Sequence, residues 1–114
     1  MRRDVRAFLW DVREAADRVE EFTRNVDLDE YKSDAMVRSA VERQLEIIGE
    51  ALNYLATLDP EMAARIPASR QAIGLRNVLI HGYATVDDAL VWHTAGTDVP
   101  LLRSRVAELL DELS

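Results

Sequence analysis

The sequence contains no cysteine, and only two of its 114 residues are histidines, His81 and His93. The absence of cysteine excludes disulfide bonds, thiolate nucleophiles and zinc sites built on cysteine. Two histidines without an obvious carboxylate pattern nearby do not make a convincing ligand set for a metal ion. We therefore predict that this protein uses neither a metal nor another cofactor.

A long hydrophobic run is also missing. No apolar stretch approaches the roughly 20 residues that a membrane-spanning helix needs, and the Arg-rich start is not followed by a continuous apolar segment. We expect neither insertion nor export, so the cytoplasm is the expected compartment. With 48% hydrophobic and 31% charged residues, the 114 positions suffice for one globular domain, residues 1–114, without a separate recognition domain.

Positive charge is scarce, because 14 Lys and Arg against 21 Asp and Glu give a net charge of −7. This balance argues against non-specific coating of nucleic acid, since basic side chains supply most of that affinity. The charge is uneven, however: residues 62–86 contain no acid but include Arg65, Arg70 and Arg76. We interpret this window as a localised phosphate site that lacks acids to pair with Arg76. The acidic remainder suits a basic protein partner.

Hydrophobic residues recur at helical spacing along nearly the whole chain. A first amphipathic helix is predicted over about residues 3–24. A second begins at a cap provided by Ser33 or Asp34 and runs to about Leu58, before Pro60 ends it. This second helix is apolar over more than one core-facing arc, which predicts contact with two surfaces.

The remaining sequence predicts further helices and no strand. Pro67 and Ser69 mark the start of a third helix, which Gly82 closes as a C′ glycine. Asp87 can cap a fourth helix, and residues 96–100 predict a kink or break because they include glycine and proline. The pattern predicts an all-α fold, a small up-and-down helical bundle of four to five helices.

The third predicted helix ends in the run Arg76-Asn77-Val78-Leu79-Ile80-His81-Gly82-Tyr83. A guanidinium can hold a phosphate through two hydrogen bonds, and an imidazole can move a proton at the same centre. In a regular helix Arg76 and His81 lie about 140° apart around the axis, so they do not easily converge. Convergence would need unwinding at Gly82, the reach of the arginine, or a second copy of the helix across a two-fold axis. We favour the second copy.

Each of these features also has an ordinary structural interpretation. An arginine on a bundle helix is more often a surface ion-pair group, and a lone histidine near a helix end is more often a capping or solvated residue. The missing acids around Arg76 favour a functional role. Trp10 and Trp92 lie on apolar stripes, which indicates core or dimer-interface residues rather than platforms for base stacking.

Segments beyond the motif complete a longer pattern that covers nearly the entire chain: Leu45-Glu46-Ile47-Ile48-Gly49-Glu50-Ala51, Ile66-Pro67, Ile73-Gly74-Leu75, Val86-Asp87 and Leu90-Val91-Trp92. With the motif, this pattern resembles the HEPN superfamily and, within it, the HepT-like toxin ribonucleases of prokaryotic toxin–antitoxin pairs. The resemblance implies a HEPN-like fold and a metal-independent endoribonuclease that works as a homodimer. It places Arg76 and His81 in catalytic roles and Asn77 as the supporting polar position.

The resemblance also implies a partner. Tyr83 matches the tyrosine that a minimal nucleotidyltransferase antitoxin modifies with AMP, in a type II or type VII-like pair. Arg70 and Arg65 are possible further contacts to the RNA substrate, for which transfer RNA and messenger RNA both stay open.

The sequence leaves open which polar residue of the second helix faces the site, and it allows two alternatives to a ribonuclease. Glu46, Glu50 or Asn53 could face the site from the second helix, where Gly49 predicts a close helix approach. A non-catalytic helical module that binds RNA or a nucleotide would bind in a salt-dependent way and leave RNA intact. A protein-interaction subunit would instead bury the motif in an interface, with no cleft open to solvent.

Overall fold

The computed structural model describes residues 3–114, and this part of the chain is almost entirely helical. Its α-helices are α1 (Val5–Thr23), α2 (Leu28–Ser33), α3 (Ala35–Leu58), α4 (Pro60–Ala64), α5 (Ser69–His81), α6 (Asp88–His93) and α7 (Val99–Leu113), with a 3-10 turn at Tyr83–Thr85 and a π-helical turn at Thr94–Asp98. No strand occurs within the described residues. The predicted all-α bundle is confirmed.

Helix α3 organises the bundle. It packs against both α1 and α5, and α1 also packs against α7. The largest fully buried side chains come mainly from these helices: Leu9, Val12, Val19, Tyr31, Val41, Ile48, Leu52, Leu55, Val91, Leu102, Val106 and Leu109. Burying each such leucine or valine contributes about 1.5–3 kcal/mol to the stability of the fold.

The contacts of α3 explain its broad apolar arc. Because α1 and α5 both pack against it, the arc is covered within one chain, and the predicted contact with two surfaces is confirmed. The arc therefore gives no independent indication of a dimer. The exposed apolar side chains of α3 are instead Met36, 82% exposed, and Tyr54, 53% exposed.

An aspartate carboxylate caps the start of α3. The Asp34 carboxylate accepts hydrogen bonds from the backbone N–H groups of Met36 and Val37, at 3.0 and 3.2 Å, so Asp34 rather than Ser33 caps α3. Capping of this kind stabilises a helix by about 1 kcal/mol. The predicted first helix and the predicted end of the second at Leu58 also agree with the structure.

The two short helices α2 and α4 were not predicted. Asp27 and Glu30 form a reciprocal capping box that starts α2 in a segment expected to break the pattern. Asp59 caps α4 by accepting from the Met62 N–H at 3.1 Å, with Pro60 in the first turn. Proline lacks only an N–H that the first turn does not use, so the same dipeptide ends one helix and starts the next.

The structure has a π-helical turn, rather than a break, near the kink or break predicted at residues 96–100. Asp87 caps α6 as predicted, accepting from Ala89 and Leu90. The chain then passes through the π-helical turn and continues into α7, with Pro100 in its first turn. One wider turn accommodates the proline without interrupting the helix.

The two tryptophans differ in environment. Trp92 is half-buried and its ring lies 5.1 Å from that of the buried Tyr31, at the edge of the core. Trp10 is 49% exposed. Among residues 3–114, none of the helices is both long enough and apolar enough to span a lipid bilayer.

Candidate active site

Helix α5 carries the motif at its C-terminal end. Its buried face consists of Ala72, Leu75 and Leu79, and its main neighbour is α3. The helix stays regular through His81 and ends at Gly82, whose N–H donates to the Val78 carbonyl at 2.8 Å. Gly82 has φ −121°, so the left-handed conformation typical of a C′ glycine is not used.

Arg76 points from α5 toward α3. Its Nη2 donates to Glu50 Oε2 at 3.0 Å, and its Nη1 donates to Asn77 Oδ1 at 3.0 Å. The Arg76 side chain is 21% exposed and that of Glu50 is 46% exposed. The interpretation that Arg76 has no acidic partner is therefore wrong, because the acid comes from another helix, 26 positions earlier in the chain.

Gly49 makes this arrangement possible. A Cβ atom at position 49 would lie 2.3 Å from Arg76 Cβ and 2.7 Å from the Ala72 carbonyl oxygen. Only a glycine lets α5 approach α3 this closely, which confirms the predicted close helix approach. The stem of Arg76 crosses the glycine, and its guanidinium group reaches the neighbouring Glu50.

His81 lies in the last turn of α5 and is exposed. Because the helix is regular through this residue, the angular separation of about 140° from Arg76 is retained and unwinding at Gly82 does not bring the two together. Within residues 3–114, no hydrogen bond joins His81 to Arg76. One chain thus presents the two groups on different sides of α5.

Asn77 and Tyr83 are both accessible. Asn77 is exposed and accepts the hydrogen bond from Arg76. Tyr83 opens the 3-10 turn that follows Gly82 and is 78% exposed, so another protein can reach its ring and hydroxyl.

Arg65 and Arg70 lie away from the end of α5 that carries His81. Arg70 is exposed near the start of the helix, about 16 Å from His81 along an axis that rises about 1.5 Å per residue. Arg65 precedes the helix and donates to both carboxylate oxygens of Glu112, at 3.0 and 2.9 Å. Any contact of these two arginines with RNA would be remote from His81.

A groove of about 590 Å³ adjoins the candidate site and was not predicted from the sequence. Glu50 lines it together with Phe8 and Tyr54, whose rings stack at 5.6 Å, and with Ile80 of α5. Glu46 lines it too and pairs with Arg43 at 3.4 Å, so it does not contact Arg76. Asn53 is exposed, and among the described residues its side chain makes no hydrogen bond to the motif. Of the three polar candidates on α3, Glu50 is therefore the one that reaches the motif. The sequence signal for the contact between α3 and α5 is Gly49 itself.

Glu42, in the first half of α3, lies near other acidic side chains. Burial raises the pKa of the Glu42 carboxyl, and the charges of Asp88 and Glu46 raise it further. Burial also raises the pKa of the Tyr31 hydroxyl, which stays neutral at physiological pH. No group of three or more histidine and carboxylate side chains suited to a metal ion occurs among the described residues.

Comparison with known proteins identifies relatives along nearly the full chain. A protein of Methanocaldococcus jannaschii named as a putative RNase is 43% identical over 105 residues, covering 92% of this chain and 95% of the relative. A second protein of that organism, with the same kind of name, is 34% identical over 112 residues, covering 98% and 92%. No solved structure matches the chain.

A third relative carries a more specific name. The probable ribonuclease HepT of Thermococcus cleftensis is 35% identical over 109 residues, covering 96% of this chain and 98% of the relative. The sequence model of the ribonuclease HepT-like family matches residues 12–109, which include α3, α5 and the whole motif. The chain therefore belongs to the HepT-like ribonuclease family, within the HEPN superfamily that the motif suggested.

Proposed function

We propose that this protein is a metal-independent endoribonuclease toxin in which Arg76 and His81 are the catalytic residues. The observation that carries the proposal is the motif on α5: a guanidinium held between Glu50 and Asn77, and an exposed imidazole further along the helix, on another side of it. Membership of a family whose relatives are named as RNases supports it.

The proposed reaction is transesterification of RNA. The neutral imidazole of His81 accepts the proton of a ribose 2′-hydroxyl, and the 2′-oxygen attacks the adjacent phosphorus. Arg76 stabilises the negative charge that develops on the non-bridging oxygens. The P–O5′ bond breaks and the leaving oxygen takes up a proton. The products are a 2′,3′-cyclic phosphate end and a 5′-hydroxyl end.

We further propose that two copies of the chain form the site together. Arg76 is directed toward α3 while His81 is exposed about 140° away, so a second α5 across a two-fold axis can supply the missing group. The motif also contains exposed apolar side chains, with Val78 at 41% and Ile80 at 38% exposure. Such side chains are suited to burial between two copies.

Incubating the purified protein with total cellular RNA, with and without EDTA, tests the proposed activity. We expect cleavage in both samples, and fragments whose 3′ ends resist polyadenylation until the cyclic phosphate is removed. DNA should stay intact because it lacks the 2′-hydroxyl. Intact RNA together with salt-dependent binding would favour the non-catalytic RNA- or nucleotide-binding module, and strict dependence on a divalent ion would refute the metal-independent mechanism.

The proposed partner is a minimal nucleotidyltransferase antitoxin that attaches AMP to Tyr83, in a type II or type VII-like pair. The exposed position of Tyr83, two residues after His81, supports this proposal because a modifying enzyme can reach the hydroxyl. Added AMP would place bulk and negative phosphate beside the motif, where it would compete with RNA for Arg76.

Replacing Tyr83 by Phe is expected to separate cleavage from control. The variant should retain RNase activity to within about tenfold, since only one hydroxyl group is lost, but it should escape silencing by the antitoxin. Cleavage assays with and without the antitoxin and ATP, combined with intact-protein mass measurement, check this. Equal silencing of both proteins without a mass increase would mean that the antitoxin inhibits by binding alone.

A further inference from the structure

Glu50 holds the guanidinium group of Arg76 from a neighbouring helix. The contact joins α3 to α5 through a hydrogen bond of 3.0 Å, in a place where the arginine side chain is only 21% exposed. Many ion pairs of this molecule lie at the surface; that between Arg24 and Glu20, for example, joins side chains that are 60% and 65% exposed. The Arg76 pair is better shielded from water, so its geometry is better defined.

The donors of Arg76 can be accounted for one by one. A guanidinium carries five N–H donors, one on Nε and two on each terminal nitrogen. Glu50 takes one donor of Nη2 and Asn77 takes one donor of Nη1, while Nε is buried without a partner. One donor on each terminal nitrogen is left for an oxyanion. Two donors are the number that a bidentate contact with phosphate oxygens uses.

The backbone beside Glu50 fixes where the arginine enters. Because Gly49 lets the Arg76 stem lie directly against α3, the guanidinium emerges next to the following residue, Glu50. Without that carboxylate, the long side chain would regain rotamers that direct it into solvent or into the adjoining groove. Glu46, one helical turn earlier, pairs with Arg43 instead.

We infer that Glu50 is a positioning residue of the ribonuclease: it orients the Arg76 guanidinium so that its two remaining terminal donors meet the scissile phosphate. This inference rests on the proposed function of Arg76. Glu50 contributes an accepting oxygen rather than a negative charge or a proton. The role therefore requires only an acceptor at this place.

The test compares Glu50→Ala and Glu50→Gln, using a synthetic RNA oligonucleotide that the wild-type protein cleaves. We expect Glu50→Ala to lower kcat by about 10- to 100-fold, because a misplaced reacting group costs a factor of this size. Glu50→Gln keeps an accepting oxygen and should stay within about fivefold of the wild type. Glu46→Ala removes the same charge from the same groove and should change kcat by less than about twofold.

Two further results identify how Glu50 acts. In an Arg76→Lys background, Glu50→Ala should have little additional effect, since a residue that acts through Arg76 loses its role when the guanidinium is gone. The pH profile of Glu50→Gln should keep the shape of the wild-type profile. A Gln variant as inactive as the Ala variant, with one limb of the profile lost, would identify Glu50 as a proton-transfer group and overturn the inference. Faster cleavage by both variants would identify it as a competitor of the phosphate and overturn it as well.

Nitrogen-15 NMR of the arginine side chains gives a readout that needs no activity. The buried Nε–H of Arg76 should exchange with water at least about tenfold more slowly than that of exposed arginines in the wild type and in Glu50→Gln, but not in Glu50→Ala. If the wild type shows this protection but does not cleave RNA, the proposed function fails while the orienting contact stands. If the wild type cleaves RNA and Glu50→Ala changes neither kcat nor the exchange, the inference about Glu50 fails alone.

Discussion

Replacing His81 by Ala is expected to lower the rate of RNA cleavage by about 10²- to 10⁴-fold, the usual contribution of a general base. The imidazole is exposed, so its removal should change the free energy of unfolding by no more than about 0.5 kcal/mol. Cleavage rates and thermal unfolding of the purified variant check both expectations. His93→Ala is the matched control, because it removes the other exposed histidine of the chain, at the end of α6.

Replacing Arg76 should reduce cleavage by about 10²- to 10³-fold, a loss typical of a group that stabilises transition-state charge. Arg76→Lys keeps the charge but loses the paired donors, so it should recover only part of the rate. Full activity of either His81→Ala or Arg76→Ala would exclude the proposed mechanism.

The same two variants test whether the site is shared between copies. Mixed dimers of Arg76→Ala and His81→Ala contain one intact pair if Arg76 of one copy works with His81 of the other. With random exchange of subunits, cleavage should recover to about a quarter of the wild-type rate, because half of the dimers are mixed and each has one of two sites intact. Recovery should be absent if each copy uses its own pair.

Replacing Gly49 by Ala is expected to destabilise the protein, because the contact between α3 and α5 has no room for the added methyl group. The new Cβ would lie 2.3 Å from Arg76 Cβ and 2.7 Å from a backbone oxygen, and neither atom can move without shifting α5. We expect the free energy of unfolding to fall by about 1–3 kcal/mol and Tm by roughly 4–15 °C. The folded fraction should also cleave RNA poorly, since the shift displaces Arg76 from Glu50.

Gly74→Ala is the matched control, because it adds the same methyl group to α5 at a position outside the contact. A Cβ at position 74 meets nothing within 4 Å, and the residue lies in the interior of α5. Alanine should therefore stabilise the protein by about 0.5–1 kcal/mol through its higher helix propensity. If the contact at Gly49 is as close as described, chemical denaturation should show a lower free energy of unfolding for Gly49→Ala and a higher one for Gly74→Ala. A stable, active Gly49→Ala variant would contradict it.

The long helices were predictable because their signals are local. Hydrophobic spacing and caps within a few residues locate α1, α3 and α5 to within about two residues. The short helices α2 and α4 were missed because six and five residues are too few to show a period. Their start signals, Asp27 with Glu30 and Asp59 with Pro60, resemble those of loops.

The candidate site was predictable only in part, for a different reason. The motif on α5 could be recognised as a run of residues, but the partner of Arg76 lies on α3, at a distance along the chain that a local charge count does not cover. The acid-free window of residues 62–86 contains the neighbours of Arg76 in sequence, whereas Glu50 is its neighbour in space. Gly49 predicted the contact from the sequence, because so close an approach of two helices requires a glycine.

The attachment of α5 has a consequence for assembly. This helix buries three side chains, mainly against α3, and begins at Ala68 in the left-handed conformation without a side-chain cap. A helix supported on one side, with an uncapped start, opens more readily than the core helices. A second copy or an antitoxin that covers its outer face would therefore stabilise α5 against local opening. Association with such a partner and order in the motif would then be linked, so the partner's concentration would set the fraction of chains in which the motif is ordered.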